Sequence, residues 1–346
     1  MELVEPKILD VTIRDGSYLV DHNISIDFTQ KLARGLTESG IRYAEICHGA
    51  GIGGGMVGYS SLADDDELME AALGAAPNLK LSAFIPANDK CIPLIPGLSN
   101  FFEMGRIGVN IDSIPSIEKI VKKLIKYKKT ISVQLVRTHA KSPEFAATAA
   151  KQAQEIGADI VYIVDSFGSM APQEVKLYIE ALKSEINVEI GFHGHNHTGL
   201  AVPNAIAAWE AGASWIDASL MGVGRAPGNT VLEALVLLLQ EKGSRQDIKL
   251  NKLCETTLST VLPFFQEAPK ITLRNLFCAK EKIDFVNESV LDLMANVLMQ
   301  PISEFISNLR QNIGDKVQLE EKDIRHYLKE QGHNYDKLIG AINSNA

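Results

Sequence analysis

The sequence predicts a (β/α)8 barrel followed by a helical C-terminal domain. Three observations carry this. Short apolar, β-rich runs return at intervals of roughly 25 to 35 residues, amphipathic helical patterns separate them, and the strands cease after about residue 245. The strands are read at Ile8–Ile13, Tyr43–Cys47, Leu79–Phe84, Arg106–Val109, Ile131–Val136, Ile160–Val164, Val188–Phe192 and Trp215–Ala218. The helices between them are read at Thr29–Ser39, Asp64–Ala75, Ile114–Tyr127, Glu144–Ile156, Pro172–Ser184, Val202–Ala211 and Thr230–Glu241. Strands that alternate with helices pair in parallel, because each return crossover needs a helix. Eight such units match a closed barrel in count and length. An open doubly wound sheet is the alternative, but no GxGxxG follows the first strand, which argues against a dinucleotide site.

Domains are therefore expected at 1–245, the barrel, and 246–346, the helical part. In the latter, Leu250–Phe265, Asn287–Leu309 and Glu320–Gln331 read as helices, Pro269 as a breaker and Asn343–Ala346 as a frayed tail.

With 346 residues, 46% hydrophobic and 22% charged, the composition is that of a globular protein. A net charge of −9 argues against nucleic acid or an anionic membrane as partner. Cys47, Cys91, Cys254 and Cys278 show neither CxxC spacing nor a disulfide framework, so reduced thiols are expected. The N-terminus lacks the features of a signal peptide, and no run of about 18 apolar residues occurs. These features together predict a cytoplasmic protein.

In such a barrel, chemistry sits at the C-terminal ends of the strands. The first strand ends in Thr12-Ile13-Arg14-Asp15-Gly16, the second in Glu45-Ile46-Cys47-His48-Gly49, the sixth in Asp165-Ser166 and the seventh in His193-Gly194-His195-Asn196-His197. On an extended segment His193 and His195 project to one face. With Asp15 they form a mixed N/O donor set suited to Mn2+, Mg2+, Co2+ or Zn2+. A 2-oxo acid is the fitting substrate for such a centre, with Arg14 beside it to stabilise an enolate. Taken singly, a His-x-His is more often a pair of ordinary strand-end histidines; the joint occurrence with Arg14-Asp15 changes that balance. His197 is read as lying outside the ligand set, and His326 and His333 as solvent-facing. Glycine-rich loops follow the second strand (Gly49 to Gly55) and the eighth (Gly222 to Asn229).

These motifs resemble a known family. Asp10-Val11-Thr12-Ile13-Arg14-Asp15-Gly16 is similar to the opening motif of the DRE-TIM metallolyases, and His193-Gly194-His195-Asn196 to their HxH motif. The loop Gly222 to Asn229 with Leu232-Glu233 resembles the family's loop after its last strand. His48-Gly49-Ala50-Gly51-Ile52-Gly53-Gly54 and Asp165-Ser166-Phe167-Gly168-Ser169-Met170 resemble the 4-hydroxy-2-oxovalerate aldolase branch in particular. The resemblance implies Asp15, His193 and His195 as metal ligands, Asn229 as a further ligand, Arg14 as the enolate-stabilising cation, and Mn2+ as the leading metal. His48, Asp165 and Ser166 join Arg14 as expected substrate-binding residues. The implied substrates are a 4-hydroxy-2-oxo acid on one side and pyruvate with an aldehyde on the other. An acylating aldehyde dehydrogenase is the implied partner, with a homo-oligomer formed through the C-terminal helices.

Two departures stand out. The aldolase branch has a histidine base at the second residue after its RDG; here Tyr18 occupies that place, and His22, four residues on, is the candidate substitute. The branch's C-terminal tyrosine is also missing from the corresponding stretch Thr272 to Ala279. A Claisen-type acyl-CoA-dependent synthase and a non-catalytic barrel without its base are the alternative readings.

Overall fold

The computed structural model describes residues 4–285, 288–314, 316 and 318–336. Eight parallel strands close into a barrel in sequence order: β1 (Lys7–Asp10), β2 (Tyr43–Glu45), β3 (Lys80–Pro86), β4 (Met104–Asn110), β5 (Thr130–Val136), β6 (Ile160–Asp165), β7 (Glu189–Gly194) and β8 (Trp215–Ala218). Closure is completed by β8 pairing with β1, Leu9 standing opposite Asp217. Around it run α1 (Ile26–Ser39), α2 (Asp65–Ala75), the one-turn α3 (Ile95–Leu98), α4 (Glu118–Lys126), α5 (Pro143–Glu155), α6 (Pro172–Glu185), α7 (Ala201–Ala211) and α8 (Leu232–Glu241). The predicted barrel is therefore the observed one.

The differences in detail have physical causes. The first strand stops at Asp10 rather than Ile13, because the Asp10 carboxylate accepts from both the backbone N and the hydroxyl of Thr12 and turns the chain. That turn carries Arg14 and Asp15 over the barrel mouth. The last barrel helix begins at Leu232 because Asn229 and Val231 are held in single bridges, to His195 and Ser219. The expected helix over 287–309 is two helices, α12 (Ser289–Val297) and α13 (Ile302–Ile313), with the proline ring of Pro301 keeping Gln300 out of the helical region. The expected frayed tail lies outside the described residues.

Before them, α9 (Leu250–Thr256) runs through a π-helical turn, Thr257–Val261, into α10 (Leu262–Phe265). Leu253, Val261 and Phe265 of this run join the barrel's outer core, and Phe264 stacks on Phe28 of α1 at 3.9 Å. A second apolar core is built from α11 (Leu273–Lys280), α12, α13 and α14 (Glu321–Glu330) around Phe305, Leu309 and Leu328.

Inside the barrel, Leu9, Met104, Ile160, Tyr162 and Trp215 form a third, apolar plug. Gly191 on β7 makes room for it: a Cβ there would lie 2.4 Å from the Tyr162 ring. The rings and branched chains of the plug leave no free volume for a methyl group. Gly191→Ala is accordingly expected to cost about 1–3 kcal/mol through overpacking, measured by urea unfolding; an unchanged midpoint would contradict this placement of Tyr162.

Candidate metal centre

Asp15, His193 and His195 are buried together at the mouth, with one potential ligand atom from each lying within 4.8 Å of the others. His193 ends β7. His195 lies just beyond it and keeps the strand's parity because its backbone is bridged to Asn229 and its N–H donates to Asp165 O. His193 Nδ1 contacts Asp217 Oδ2 at 2.9 Å. The carboxylate can only accept, so Nδ1 carries the proton and Nε2 presents a lone pair. That lone pair lies 3.8 Å from Asp15 Oδ2, another acceptor. Buried acceptors facing each other at this range have no hydrogen to share, and a cation between them resolves the conflict.

Further observations fit a cation. His195 Nδ1 and Asn229 Oδ1 are buried without hydrogen-bond partners. Burial strongly disfavours the charged form of His195 and holds its pKa well below the usual 6.5, so it stands as a neutral donor. Burial also pushes the Asp15 carboxyl up, but the neighbouring Arg14 guanidinium, helped by the hydrogen bond from Asn229, holds the group ionised, below the ordinary carboxylate range. Asn229 Nδ2 donates to Asp15 Oδ2 at 2.6 Å. A half-turn of that amide would present its oxygen instead. The donor set of one carboxylate and two imidazoles therefore fits a divalent ion with open positions.

These ligands belong to a closed ring of buried charges. Arg14 donates to Asp15 and to Glu45, both at 2.7 Å. Glu45 is in ion contact with Arg106 on β4 at 2.9 Å, and Arg106 pairs with Asp217 on β8. Asp217 then holds His193, which faces Asp15. Arg106 also lies over the face of Tyr162, 4.8 Å from its centroid, on top of the apolar plug. The ring's three carboxylates and two guanidiniums sum to −1, a charge that a divalent cation and a monoanionic substrate would together neutralise. Burial lowers the pKa of Arg14, but Asp15 and Glu45 more than reverse this and keep it charged. Its guanidinium stacks on Phe84 at 4.7 Å, and among the described residues nothing accepts from Nη2.

Tyr18 and His22 follow on the same loop. Burial raises the Tyr18 phenol above its ordinary pKa, with Arg14 opposing and Asp15 adding, so the hydroxyl keeps its proton. The His22 ring meets Tyr18 and His48, each at 4.6 Å between centroids, and Tyr59 at 5.4 Å. It contacts none of the three ligand residues. Ser17 gives its one hydroxyl proton to Arg14 O, so the 2.9 Å contact to His22 Nδ1 requires that nitrogen to donate. His22 Nε2 is then the lone-pair nitrogen. Burial, with His48 beside it, lowers the His22 pKa to about 4.

The other expected binding residues secure loops. His48 uses both ring nitrogens within its own segment, on Ala50 N and Ser60 O. Asp165 accepts from Ser169 N and Met170 N, and Ser166 Oγ accepts from Arg137 N. His197 lies outside the ligand set and pairs with Glu288 at 3.0 Å; His326 and His333 are exposed.

Sequence reasoning missed Glu45, Arg106 and Asp217 as site residues, and also Arg225, whose guanidinium pairs with Asp284 at 2.8 Å. For Glu45, Arg106 and Asp217 the available signal was a charge on an otherwise apolar strand; Arg225, on the loop after β8, carried no such signal.

Comparison with known proteins agrees with this geometry. The HMGL-like family model matches residues 5–259. The chain belongs to the HMGL-like family. Relatives of this HMGL-like chain include a 4-hydroxy-2-oxovalerate aldolase of Geobacillus genomosp. 3, 35% identical over 280 residues, covering 78% of this chain and 80% of that protein. An oxaloacetate decarboxylase of Mycobacterium tuberculosis is 34% identical over 258 residues, 75% of this chain and 77% of that one. Among solved structures, hydroxymethylglutaryl-CoA lyase from Pseudomonas aeruginosa shares the fold with a TM-score of 0.65 at 17% identity, covering 78% and 96% of the two chains. The carboxyl transferase domain of Rhizobium etli pyruvate carboxylase does so at 0.77 and 15% identity, covering 96% of this chain and 62% of that one. The relatives bear out the DRE-TIM resemblance and support a metal-dependent lyase of the aldolase kind. Among the described residues no helix is long and apolar enough to cross a membrane.

Two outcomes follow for this HMGL-like centre. Arg106→Met leaves Glu45 and Asp217 buried without their shared cation, and a stability loss of about 3–5 kcal/mol is expected in denaturant unfolding. His22 is held neutral in the fold, whereas the unfolded chain takes up its proton below about pH 6.5. Its contribution to stability is therefore whole above pH 6.5 and is lost as pH falls towards 4. His22→Gln is expected to flatten the pH dependence of the thermal midpoint in that window.

Proposed function

We propose that this protein is a divalent-metal-dependent carbon–carbon lyase acting on a 4-hydroxy-2-oxo acid through a pyruvate-type enolate. The observation that carries the reading is the cluster of Asp15, His193 and His195 lone pairs directly beside the Arg14 guanidinium. Mn2+ is the first ion to test, and Asn229 the fourth protein ligand we assign. A divalent ion held there would supply a Lewis acid for the carboxylate and ketone oxygens of a 2-oxo acid.

The chain's own groups account for the remaining chemistry. Arg14, fixed by Asp15 and Glu45, offers its free Nη2 to the oxygen on which enolate charge develops. In the cleavage direction the 4-hydroxyl loses its proton, the C3–C4 bond breaks, an aldehyde departs, and C3 of the enolate is reprotonated. Tyr18, its phenol protonated, is the donor for that last step. His22, neutral with a free Nε2 beside Tyr18, is the base available nearby, and its low pKa makes it a weak one.

A specific observation favours a second reading. Where the aldolase branch has a histidine base, this chain has a phenol that keeps its proton. Decarboxylation of a 2-oxo diacid needs no base: the bond to the carboxyl carbon breaks, CO2 leaves, and the enolate takes one proton. The similarity to an oxaloacetate decarboxylase supports it equally well.

The Mn2+-loaded protein is expected to exchange deuterium into the methyl group of pyruvate, followed by NMR. Asp15→Asn should abolish both the exchange and the Mn2+ binding read by electron paramagnetic resonance, and Tyr18→Phe should slow exchange about 10²-fold or more. Aldehyde release from 4-hydroxy-2-oxovalerate against CO2 release from oxaloacetate then decides between the readings. Metal binding without exchange or turnover would sink both.

A further inference from the structure

Away from the metal centre, a cavity of about 700 Å³ opens where the C-terminal ends of β4 and β5 meet α11 and α13. Among the described residues its wall carries Arg137, Lys141, Lys280, Lys282, Arg310 and Lys316 against two acids, Asp112 and Glu281, a formal excess of +4. The chain as a whole stands at −9, so this is a local reversal of sign and not a property of the surface at large.

Several of these cations have little neutralisation from the protein. Lys282 Nζ donates to a neutral acceptor, His139 O, at 3.0 Å. Lys141 reaches Asp112 only at 3.9 Å, and Lys280 reaches Glu281 at 3.4 Å. Arg137 and Lys316 have closer carboxylates, Asp284 at 2.6 Å and Asp323 at 2.7 Å, which fix their side chains at the rim. Arg310 is anchored by bonds to the carbonyls of Glu281, Lys282, Gly314 and Lys316 and so ties the far wall together. Arg137 Nε is buried and has no hydrogen-bond partner. Like charges gathered from four separate segments repel one another, and an anion of multiple charge between them removes that repulsion.

We propose that this cavity binds a small molecule carrying two or more phosphate groups. Its volume lies within the range of metabolite sites, and the ammonium groups of Lys141, Lys280 and Lys282 supply point charges and N–H donors suited to phosphate oxygens. Ile111, Val136 and Ala140 supply an apolar strip, while among the described residues no aromatic ring lines the wall for a base to stack on. The reaction proposed at the barrel mouth does not depend on this cavity.

The test is calorimetric titration of the full metal-loaded chain with inorganic pyrophosphate and, separately, with ADP, at constant ionic strength. Pyrophosphate binding is expected, weakened at least tenfold in Lys141→Gln/Lys280→Gln and unchanged in Lys31→Gln/Lys119→Gln, two exposed lysines elsewhere. ADP binding as well would assign the site to a nucleotide, and pyrophosphate binding without it to a non-nucleotide phosphate ester; either supports the proposal. Absence of heat from both probes overturns it. So does binding that survives the Lys141/Lys280 pair, or binding that Asp15→Asn abolishes, which would place the anion on the metal.

Discussion

Asp15, Arg14, Glu45, Arg106, Asp217 and His193 meet in sequence around the inside of the barrel, each touching the next, and the last facing the first. Removing such groups from water costs several kcal/mol apiece unless each finds its complement. The barrel supplies those complements from the turn after β1 and from β2, β4, β7 and β8, so the ring forms only when the sheet has closed. It has a floor, the plug of Tyr162, Met104 and Trp215, and a roof, the loops after the strands. The candidate metal ligands are the two ring members that are left facing each other, joined by His195.

The same logic governs how the C-terminal helices meet the barrel mouth. Their own core is apolar, around Phe305 and Leu328. Where they approach the mouth, the contacts become ionic and hydrogen-bonded: Asp284 stands between Arg137 and Arg225, and Glu288 receives His197 and Asn275. Burial disfavours the charged form of Arg225, yet Asp284 and Glu288 hold it charged beside the loop that presents Asn229. A helical layer fastened this way sets the position of charged groups at the mouth as well as covering it.

Much of this was legible before any coordinates. Periodicity gave the barrel, and the two-residue parity of His193 and His195 gave the triad with Asp15. Hidden from the sequence were partners whose meaning is relational. Arg106 and Asp217 are 111 residues apart, and each alone is an odd charge in an apolar strand. His197 and Glu288, 91 apart, are hidden for the same reason. The short first strand was hidden differently: Asp10 looks like one more strand residue until its carboxylate is seen to cap Thr12. The break at Pro301 is written in the proline, although apolar spacing continues across it.

None of Tyr18, His22, His48 and Tyr59 belongs to the ring of charges. They gather on the loops after β1 and β2, ring against ring, where one aromatic or imidazole can be exchanged for another with a local change of shape. A substitution inside the ring strands a buried charge, whereas one in this cluster does not. The architecture thus separates two kinds of side chain: those whose loss leaves a buried charge without its complement, and those packed ring against ring on the loops, whose exchange for another ring changes local shape alone. Within the barrel mouth, this corner is where laboratory evolution would find its room.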